Sequence, residues 1–567
     1  MTHNFSSIYE QWKTDLFFDK TTREELNALN PEIDMKEIQD RFYKDLEFGT
    51  GGLRGVMGAG INRMNKYTVG KASAGLGRYL LSAYEAKECV EHGIVVAYDT
   101  RNFSREYAQI TADVLSGMGI KVYLMKEPRP TPQLSFSVKY LDALAGVVIT
   151  ASHNPKKYNG YKVYDEFGCQ LVPCQAKQVI GYVNGITDYH EISFVGNPEL
   201  IQMVDTTEAF VEAVLRESRY AGDKADLHVV YTPLHGTGRV PVTNALLKDG
   251  FVHIDVVEQQ ANEDGNFPTV VSPNPEDRRA LELGICQATQ SGADIVLGTD
   301  PDSDRVGVAV RTGNGYQLLT GNQIGALLMD FVLSHTALSQ YKKPAVVKTV
   351  VTSELGAEIA KKHGLHVFST LTGFKFIGEK ITQFEQAYRE SNSEKNYKFV
   401  LGYEESYGYL VGTHAQDKDA VVSSLLICEM AAEYKAKNET LLDRMNEIYT
   451  EFGYYRDALD SFTLEGKDGL ERITSMMESL RQTGSPFEKT KCVIDYSVPV
   501  EAEVGFGTLP TSNVLKYILE DGSWVAIRPS GTEPKIKIYY SITGVDESNA
   551  DKKLTVIREK ITRILGL

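Results

Sequence analysis

Short apolar runs, each closing on a polar or glycine-rich loop, recur along the chain and alternate with stretches of helical pattern. Ile94-Val-Val-Ala-Tyr98 runs into Asp99-Thr-Arg101, Ala145 to Ile149 into Thr150-Ala-Ser-His-Asn-Pro155, and Leu227 to Tyr231 into Pro233-Leu-His-Gly-Thr-Gly238. Asp294 to Leu297 precedes Gly298-Thr-Asp-Pro-Asp-Ser-Asp-Arg305, and Ala345 to Val351 precedes Thr352-Ser-Glu354. Such runs predict buried strands, and their alternation with helices predicts α/β layers with parallel or mixed sheets. Ligand loops of these sheets lie at the carboxyl ends of strands, which is where the polar clusters fall.

The first ~45 residues have a charged helical pattern and predict a peripheral extension. Breaks near residues 205, 323 and 456 divide the chain into segments 1–205, 206–323, 324–456 and 457–567. An amphipathic helix through Leu441 to Tyr449 closes the third segment. The fourth, with strands Trp524 to Ile527 and Lys535 to Tyr540, predicts a separate α+β unit.

At 567 residues the chain exceeds what one core can organise. With 42% hydrophobic and 24% charged residues it is globular in composition. A net charge of −16 argues against a nucleic-acid or anionic-membrane partner, because those require a basic face. An anionic small molecule stays open where cations gather in loops. Six cysteines without a CxxC pair fit reduced thiols and a cytoplasmic protein. No basic-then-apolar leader opens the chain, and no apolar run reaches the ~20 residues of a membrane span.

Asp300, Asp302 and Asp304 alternate, so an extended segment would point all three carboxylates one way. Like charges so placed call for a cation, and oxygen ligands without histidine favour Mg²⁺ over Zn²⁺. An EF-hand is excluded, since Arg305 and Arg311 stand where it needs Gly and Glu. Ser152 sits at a small-residue turn and, with a Mg²⁺ site on the same chain, points to a phosphoserine intermediate. Neighbouring His153 invites a Ser–His hydrolase reading. However, adjacent residues seldom bring their side chains together, and no Gly-x-Ser-x-Gly elbow surrounds Ser152.

Other loops suit anions and sugars. Arg528-Pro-Ser-Gly-Thr-Glu-Pro534 combines a guanidinium, hydroxyls and a glycine, and Thr50-Gly-Gly-Leu-Arg-Gly55 is a comparable glycine-rich loop. Gly402-Tyr-Glu-Glu-Ser-Tyr-Gly408 offers carboxylates and a hydroxyl to vicinal sugar hydroxyls.

These motifs, in this order, resemble the α-D-phosphohexomutase family, also called the phosphoglucomutase/phosphomannomutase superfamily, and within it the longer bacterial type. The resemblance implies an α/β fold of four domains around a central cleft. Three would be related α/β/α domains with mixed sheets and the fourth a C-terminal α+β flap. It implies Ser152 as the phosphoserine, completing the metal site with Asp300, Asp302 and Asp304, one Mg²⁺ per chain. Ser152, Lys162, Arg54 and His153 would form the catalytic set, with Arg305 supporting the metal region. Thr372, Gly373, Lys375, Glu404, Ser406, Arg528, Ser530, Gly531 and Thr532 would bind substrate. The implied reaction interconverts glucose 1-phosphate and glucose 6-phosphate through glucose 1,6-bisphosphate. The implied partner is a small phosphosugar, and the chain a monomer or weak dimer. Pentose or mannose phosphates, or a phosphoserine-dependent phosphatase, are the alternatives. Some relatives carry a histidine two residues beyond the sugar-loop serine, where this chain has Gly408, which leaves Lys162, Lys375, Lys418 or His414 for acid/base work.

Overall fold

The computed structural model describes residues 5–49, 51–390, 395–464, 466–502, 506–530 and 535–567. Its first sheet joins β1 (Gly52–Val56), β2 (Ile94–Tyr98), β3 (Val122–Met125), β4 (Ala145–Ile149), β5 (Tyr158–Tyr164) and β6 (Ile201–Val204) in the order β1-β5-β4-β2-β3-β6. β4, β2, β3 and β6 run parallel, while β5 and β1 add antiparallel strands at one edge. Every residue of β2 and β4 is buried. Near-continuous apolar runs are what strands covered by helices on both faces require, each buried Val or Ile adding ~1.5–3 kcal/mol.

The second sheet repeats the plan. β7 (His228–Thr232), β8 (His253–Val256), β9 (Ile295–Thr299), β10 (Val306–Thr312) and β11 (Gly315–Leu318) take the order β11-β10-β9-β7-β8. A third sheet sets β12 (Pro344–Thr349) between β13 (His366–Thr370) and β14 (Lys398–Glu404), parallel to both. In all three the third parallel strand in chain order lies beside the first, and the second lies on the first strand's other side. Ser152 follows β4, Asp300 follows β9 and Glu404 ends β14. The serine, aspartate and sugar motifs thus occupy one equivalent position in three copies of one arrangement.

The N-terminal helices α1 (Phe5–Thr14), α2 (Lys20–Asn27) and α3 (Met35–Phe42) share a buried aromatic cluster with Tyr67 of α4 (Lys66–Ala83). Trp12 stacks on Phe18 at 4.2 Å and meets Tyr67 edge-on at 5.4 Å. Asn65 caps α4 by accepting from the backbone N–H groups of Tyr67 and Thr68.

After the short strand β15 (Gly408–Val411), the last sheet comprises β16 (Tyr454–Thr463), β17 (Thr490–Asp495), β20 (Leu515–Leu519), β21 (Trp524–Pro529) and β22 (Lys535–Gly544). It is antiparallel throughout, in the order β16-β22-β21-β20-β17, beside a two-stranded pair β18 (Val500–Glu501) and β19 (Thr508–Leu509). Ile527, Ile538, Leu554 and Ile561 belong to its core.

The chain forms two compact units, Met1–Leu319 with Gly408–Glu433, and Thr320–Tyr407 with Tyr434–Leu567. A buried ion pair holds the helix that begins at Ala420 in the first unit. Glu429 accepts from Lys224 Nζ at 2.7 Å, Ser218 Oγ at 2.5 Å and the Arg219 backbone at 2.8 Å. No described helix is long and apolar enough to cross a membrane.

Residues 52–55 form a strand, not the loop their composition predicts. Gly52–Val56 is the edge strand β1, with Gly52 opposite Lys162 and Arg54 opposite Gly160. Gly52 has φ 122°, and a Cβ there would lie 1.7 Å from the Tyr161 carbonyl oxygen. Strand pairing this close tolerates only glycine.

Candidate active site

Ser152 takes φ 51°, the left-handed conformation, in the turn that ends β4. The turn is braced from inside, since the Ser152 N–H donates to Thr150 Oγ1 at 2.8 Å and the Asn154 N–H to the Ala151 carbonyl at 3.1 Å. Ser152 Oγ donates to Asp300 Oδ2 at 2.7 Å and lies 3.1 Å from His153 Nδ1. Adjacent side chains were expected to point apart. The left-handed serine breaks that alternation and brings them together. Oγ has one proton, and giving it to Asp300 leaves the His153 Nδ1–H to donate to Oγ. Burial, and then the charges of Arg305 and Arg54, hold the His153 pKa well below the usual imidazole value. Burial thus favours a neutral imidazole beside Ser152 Oγ.

The aspartates converge differently from the extended segment predicted for them. Residues 301–304 form a turn with Ser303 at φ 50° and the Ser303 N–H bonded to the Asp300 carbonyl at 2.9 Å. Asp300 Oδ1 accepts the backbone N–H groups of Asp304 at 3.1 Å and Arg305 at 3.0 Å. One oxygen from each of Asp300, Asp302 and Asp304 lies within 4.8 Å of the others, all three residues being buried. Lys162, on β5, reaches Asp302 at 2.9 Å and Asp304 at 3.4 Å. Lys418 reaches Asp304 at 3.1 Å, and Thr131 Oγ1 donates to Asp302 at 2.8 Å.

Electrostatics follows this geometry. Burial, with Asp304 and Asp302 alongside, raises the Asp300 pKa well above the carboxylate range. Burial works against charge on Asp302 too, but Lys162 and Thr131 outweigh it and its pKa falls. For Lys162 burial is again the largest effect, and Asp302 with Asp304 overcomes it, so the ammonium is held above its usual value. Asp302 Oδ1 and Asp304 Oδ1 are buried without a hydrogen-bond partner among the described residues. Orphaned carboxylate oxygens beside two other carboxylates make a donor set that fits a hard divalent cation.

Other predicted residues are placed as follows. Arg54 extends from β1 and keeps some solvent contact, yet the protein packed around its guanidinium lowers its pKa by burial first, with Asp302, Arg305 and Asp304 the main charges acting on it. Arg305 pairs with Glu276. His414 pairs with Asp419 at 2.7 Å, so among the acid/base candidates of this unit Lys162 and Lys418 stand at the aspartates. In the second unit the Gly373 N–H, at φ 119°, donates to Glu404 Oε1 at 2.7 Å. Thr372 Oγ1 is buried without a hydrogen-bond partner among the described residues, and Lys375 Nζ lies 5.4 Å from the Phe376 ring. Ser406 sits in the turn between β14 and β15. Arg528 lies near the end of β21, and the Ser530 N–H donates to the Lys535 carbonyl at 2.7 Å. Gly531 and Thr532 lie outside the described residues.

Sequence reasoning passed over four residues. Thr131 and Asp417 carry no local signal; Asp417 accepts from Tyr164 at 2.7 Å and from Lys418 at 3.1 Å. Tyr539 of β22 is buried, and burial first, then Glu405, raises the pKa of its hydroxyl, which Arg528 lowers in part. Arg101 was visible as the end of a strand-loop motif, yet its contacts were not.

Four family models of phosphoglucomutase/phosphomannomutase match in sequence order. The alpha/beta/alpha domains I, II and III match residues 45–190, 208–313 and 320–452, and the C-terminal domain matches residues 482–552. The chain belongs to this family. A phosphoglucomutase of Staphylococcus aureus (strain MRSA252) is 37% identical over 537 residues, 92% of this chain and 94% of that protein. One of Staphylococcus haemolyticus (strain JCSC1435) is 39% identical over 516 residues, 88% and 91% of the two chains. Among solved structures, the open form of Paramecium parafusin, a phosphoglucomutase, aligns with TM-score 0.69 at 16% identity, covering 93% of this chain and 96% of its own. A family protein from Burkholderia thailandensis aligns with TM-score 0.65 at 18% identity, covering 91% and 97%. At these identities the two structures speak for the fold, which has the four domains and mixed sheets of the family.

Proposed function

We propose that this phosphomutase interconverts α-D-glucose 1-phosphate and glucose 6-phosphate, with Ser152 as the phosphoryl carrier. The observation that carries the reading is Ser152 Oγ, presented by a left-handed turn 2.7 Å from Asp300 within a buried three-aspartate cluster that has orphaned oxygens. The relatives named phosphoglucomutase, alike over about nine-tenths of the chain, favour glucose as the sugar.

In the first half-reaction phosphoserine 152 gives its phosphoryl to the free hydroxyl of a hexose monophosphate. The Oγ–P bond breaks, the sugar oxygen bonds phosphorus, and the sugar's proton ends on Ser152 Oγ. In the second, the other phosphoryl of glucose 1,6-bisphosphate returns to Ser152 by the reverse exchange. Asp300, Asp302, Asp304 and the phosphoserine would hold Mg²⁺, which when bound neutralises charge on the phosphoryl oxygens. Lys162 and Lys418 balance the aspartates, and Lys162, held as an ammonium, would relay the proton by giving one to Ser152 Oγ as the Oγ–P bond breaks and taking the sugar's in return. Arg54 and Arg305 add positive charge where the phosphoryl group sits. Thr372, Gly373, Lys375, Glu404 and Ser406 recognise the sugar, and Arg528, Ser530, Gly531 and Thr532 hold the phosphate not being transferred. Domain limits near residues 205, 323 and 456, a cytoplasmic location and a monomeric or weakly dimeric chain belong to the same reading.

The test pairs Ser152→Ala with a substrate panel primed by glucose 1,6-bisphosphate. Wild type should carry one phosphoryl group by intact mass, turn over glucose 1-phosphate with the highest kcat/KM, and release almost no inorganic phosphate. Ser152→Ala should lose both the phosphoryl mass and turnover while staying folded. Near-normal activity of that variant would remove Ser152 from the mechanism. A clear preference for ribose or mannose phosphates would change the sugar, and steady phosphate release would make the protein a phosphatase.

A further inference from the structure

The segment that carries Ser152 turns its backbone carbonyls inward onto a single side chain. Arg101 lies in the loop after β2, the strand beside β4, and its side chain has no solvent exposure. Its Nη2 donates to the carbonyls of Ser152 and Asn154, each at 2.5 Å. Its Nη1 donates to those of Pro155 and Tyr158, each at 3.1 Å. The fifth donor, Nε, faces Asp99 Oδ2 at 3.3 Å, and Asp99 is equally buried. Asp99 is held in turn by the Arg101 N–H at 2.9 Å and Ser104 Oγ at 2.6 Å. The Phe267 ring lies 5.0 Å from the guanidinium carbon. The remaining carbonyl of the turn, that of His153, accepts from Ser272 Oγ at 2.7 Å.

A loop that must keep a reacting oxygen in place while it gains and loses a phosphoryl group has a specific difficulty. Between the end of β4 at Ile149 and the start of β5 at Tyr158 the loop follows no helix or sheet ladder, so regular structure does not fix the dihedral angles around Ser152. A planar guanidinium solves this, because its N–H groups point in fixed directions and four of them here meet four carbonyls of the same loop. Lysine has three donors on one atom and cannot span them.

We propose that Arg101 is the positioning residue of the phosphoryl-carrying serine, its guanidinium fixing the loop Ser152 to Tyr158 so that Ser152 Oγ stays aligned for transfer. Arg101 acts through the backbone and does not touch the sugar. The proposal rests on the mutase reading above. Phosphoryl geometry off by an ångström costs orders of magnitude in rate, whereas sugar binding depends on other residues. Loss of Arg101 therefore shows in the transfer step and leaves KM largely unchanged.

The experiment uses the full-length phosphoenzyme with its phosphoserine content counted by intact mass. Single-turnover transfer to glucose 6-phosphate is then measured per phosphoserine, forming glucose 1,6-bisphosphate. Arg101→Lys should slow transfer at least tenfold on the order expected for a misplaced reacting group, with KM for glucose 1-phosphate changed by less than about threefold. Transfer per phosphoserine within about twofold of wild type would overturn the proposal, as would a loss confined to KM. Should Arg101→Lys not fold, Asp99→Asn serves instead. It removes the anion facing Nε yet can still accept from Ser104 and the Arg101 N–H, and it should slow the same step several-fold; an unchanged rate again overturns the proposal. Wild type in the same assay separates the two readings. A wild type without phosphate on Ser152, or unable to make the bisphosphate, sinks the mutase assignment itself. A competent wild type with unaffected variants sinks only Arg101.

Discussion

Gly408 shows how one absent side chain makes room for another. A Cβ at this position would lie 2.1 Å from Lys418 Cδ and 2.7 Å from its Cγ. The lysine stem thus fills the space beside Gly408, and its ammonium meets Asp304 and Asp417, each at 3.1 Å. Gly408→Ala should displace Lys418 from Asp304 and lower kcat about tenfold, or ~1.4 kcal/mol, with little loss of stability. Lys418→Met should cost a similar amount, and the double variant no more than either alone. Additive losses in that cycle would mean that the alanine acts by some other route. Residue identities at the site were legible because the chemistry is local in sequence: Thr150 to Pro155 and Gly298 to Arg305 each announce themselves. Contacts were not legible. The Ser152–His153 contact depends on a left-handed φ that no residue type signals, and Lys162 reaches Asp302 only through pairing across 140 positions.

At the scale of elements, β20 meets the β12 region through a buried lysine. Lys516 Nζ donates to the Val350 carbonyl at 2.8 Å, sits 4.2 Å from the Trp524 ring, and shares Glu354 (3.5 Å) with Lys348 (2.9 Å). Two ammonium groups thus face one carboxylate, with Cys492 also nearby. Burial first, and then Lys348, bring the Lys516 pKa down to about 7. The unfolded chain keeps that proton up to the ordinary lysine value of 10.5. Between these limits the unfolded state binds the extra proton, so stability should rise with pH, by at most about 1.4 kcal/mol per unit, and below about pH 7 the full penalty applies. Lys516→Met should flatten this rise, and urea midpoints at about pH 7 and pH 9 for the two proteins measure it. Parallel pH curves would show that Lys516 keeps its proton in the folded state. The strands themselves were legible, since apolar runs bounded by polar loops identify them. Their order was not, because the pattern third–first–second arises from crossovers that leave no local trace. The helix from Ala420 is apolar nearly all round, which predicts burial but not the unit it joins, and its Glu429 finds Lys224 across 205 positions.

For the whole molecule, the acidic balance of −16 excludes partners better than it identifies any, because the cations that matter are gathered at one site. Lys162, Lys418, Arg54, Arg101 and Arg305 surround Asp300, Asp302 and Asp304, and all of them belong to the first compact unit. Division into two units was not readable from the chain, since residues 408–433 return to the first unit after a long excursion through the second. This makes cation binding a test with spatial resolution. A ligand that binds only the folded state at a hundredfold excess over its Kd stabilises that state by ~2.7 kcal/mol. With Mg²⁺ at that level, amide exchange should slow in residues 145–165, 295–306 and 414–420, which carry Ser152, the aspartates and Lys418. Asp302→Asn removes one of the orphaned oxygens and half the charge balance of Lys162, so it should abolish most of that protection at the same Mg²⁺ concentration. Protection spread evenly over the chain, or equal protection in Asp302→Asn, would place the bound cation somewhere other than these three aspartates.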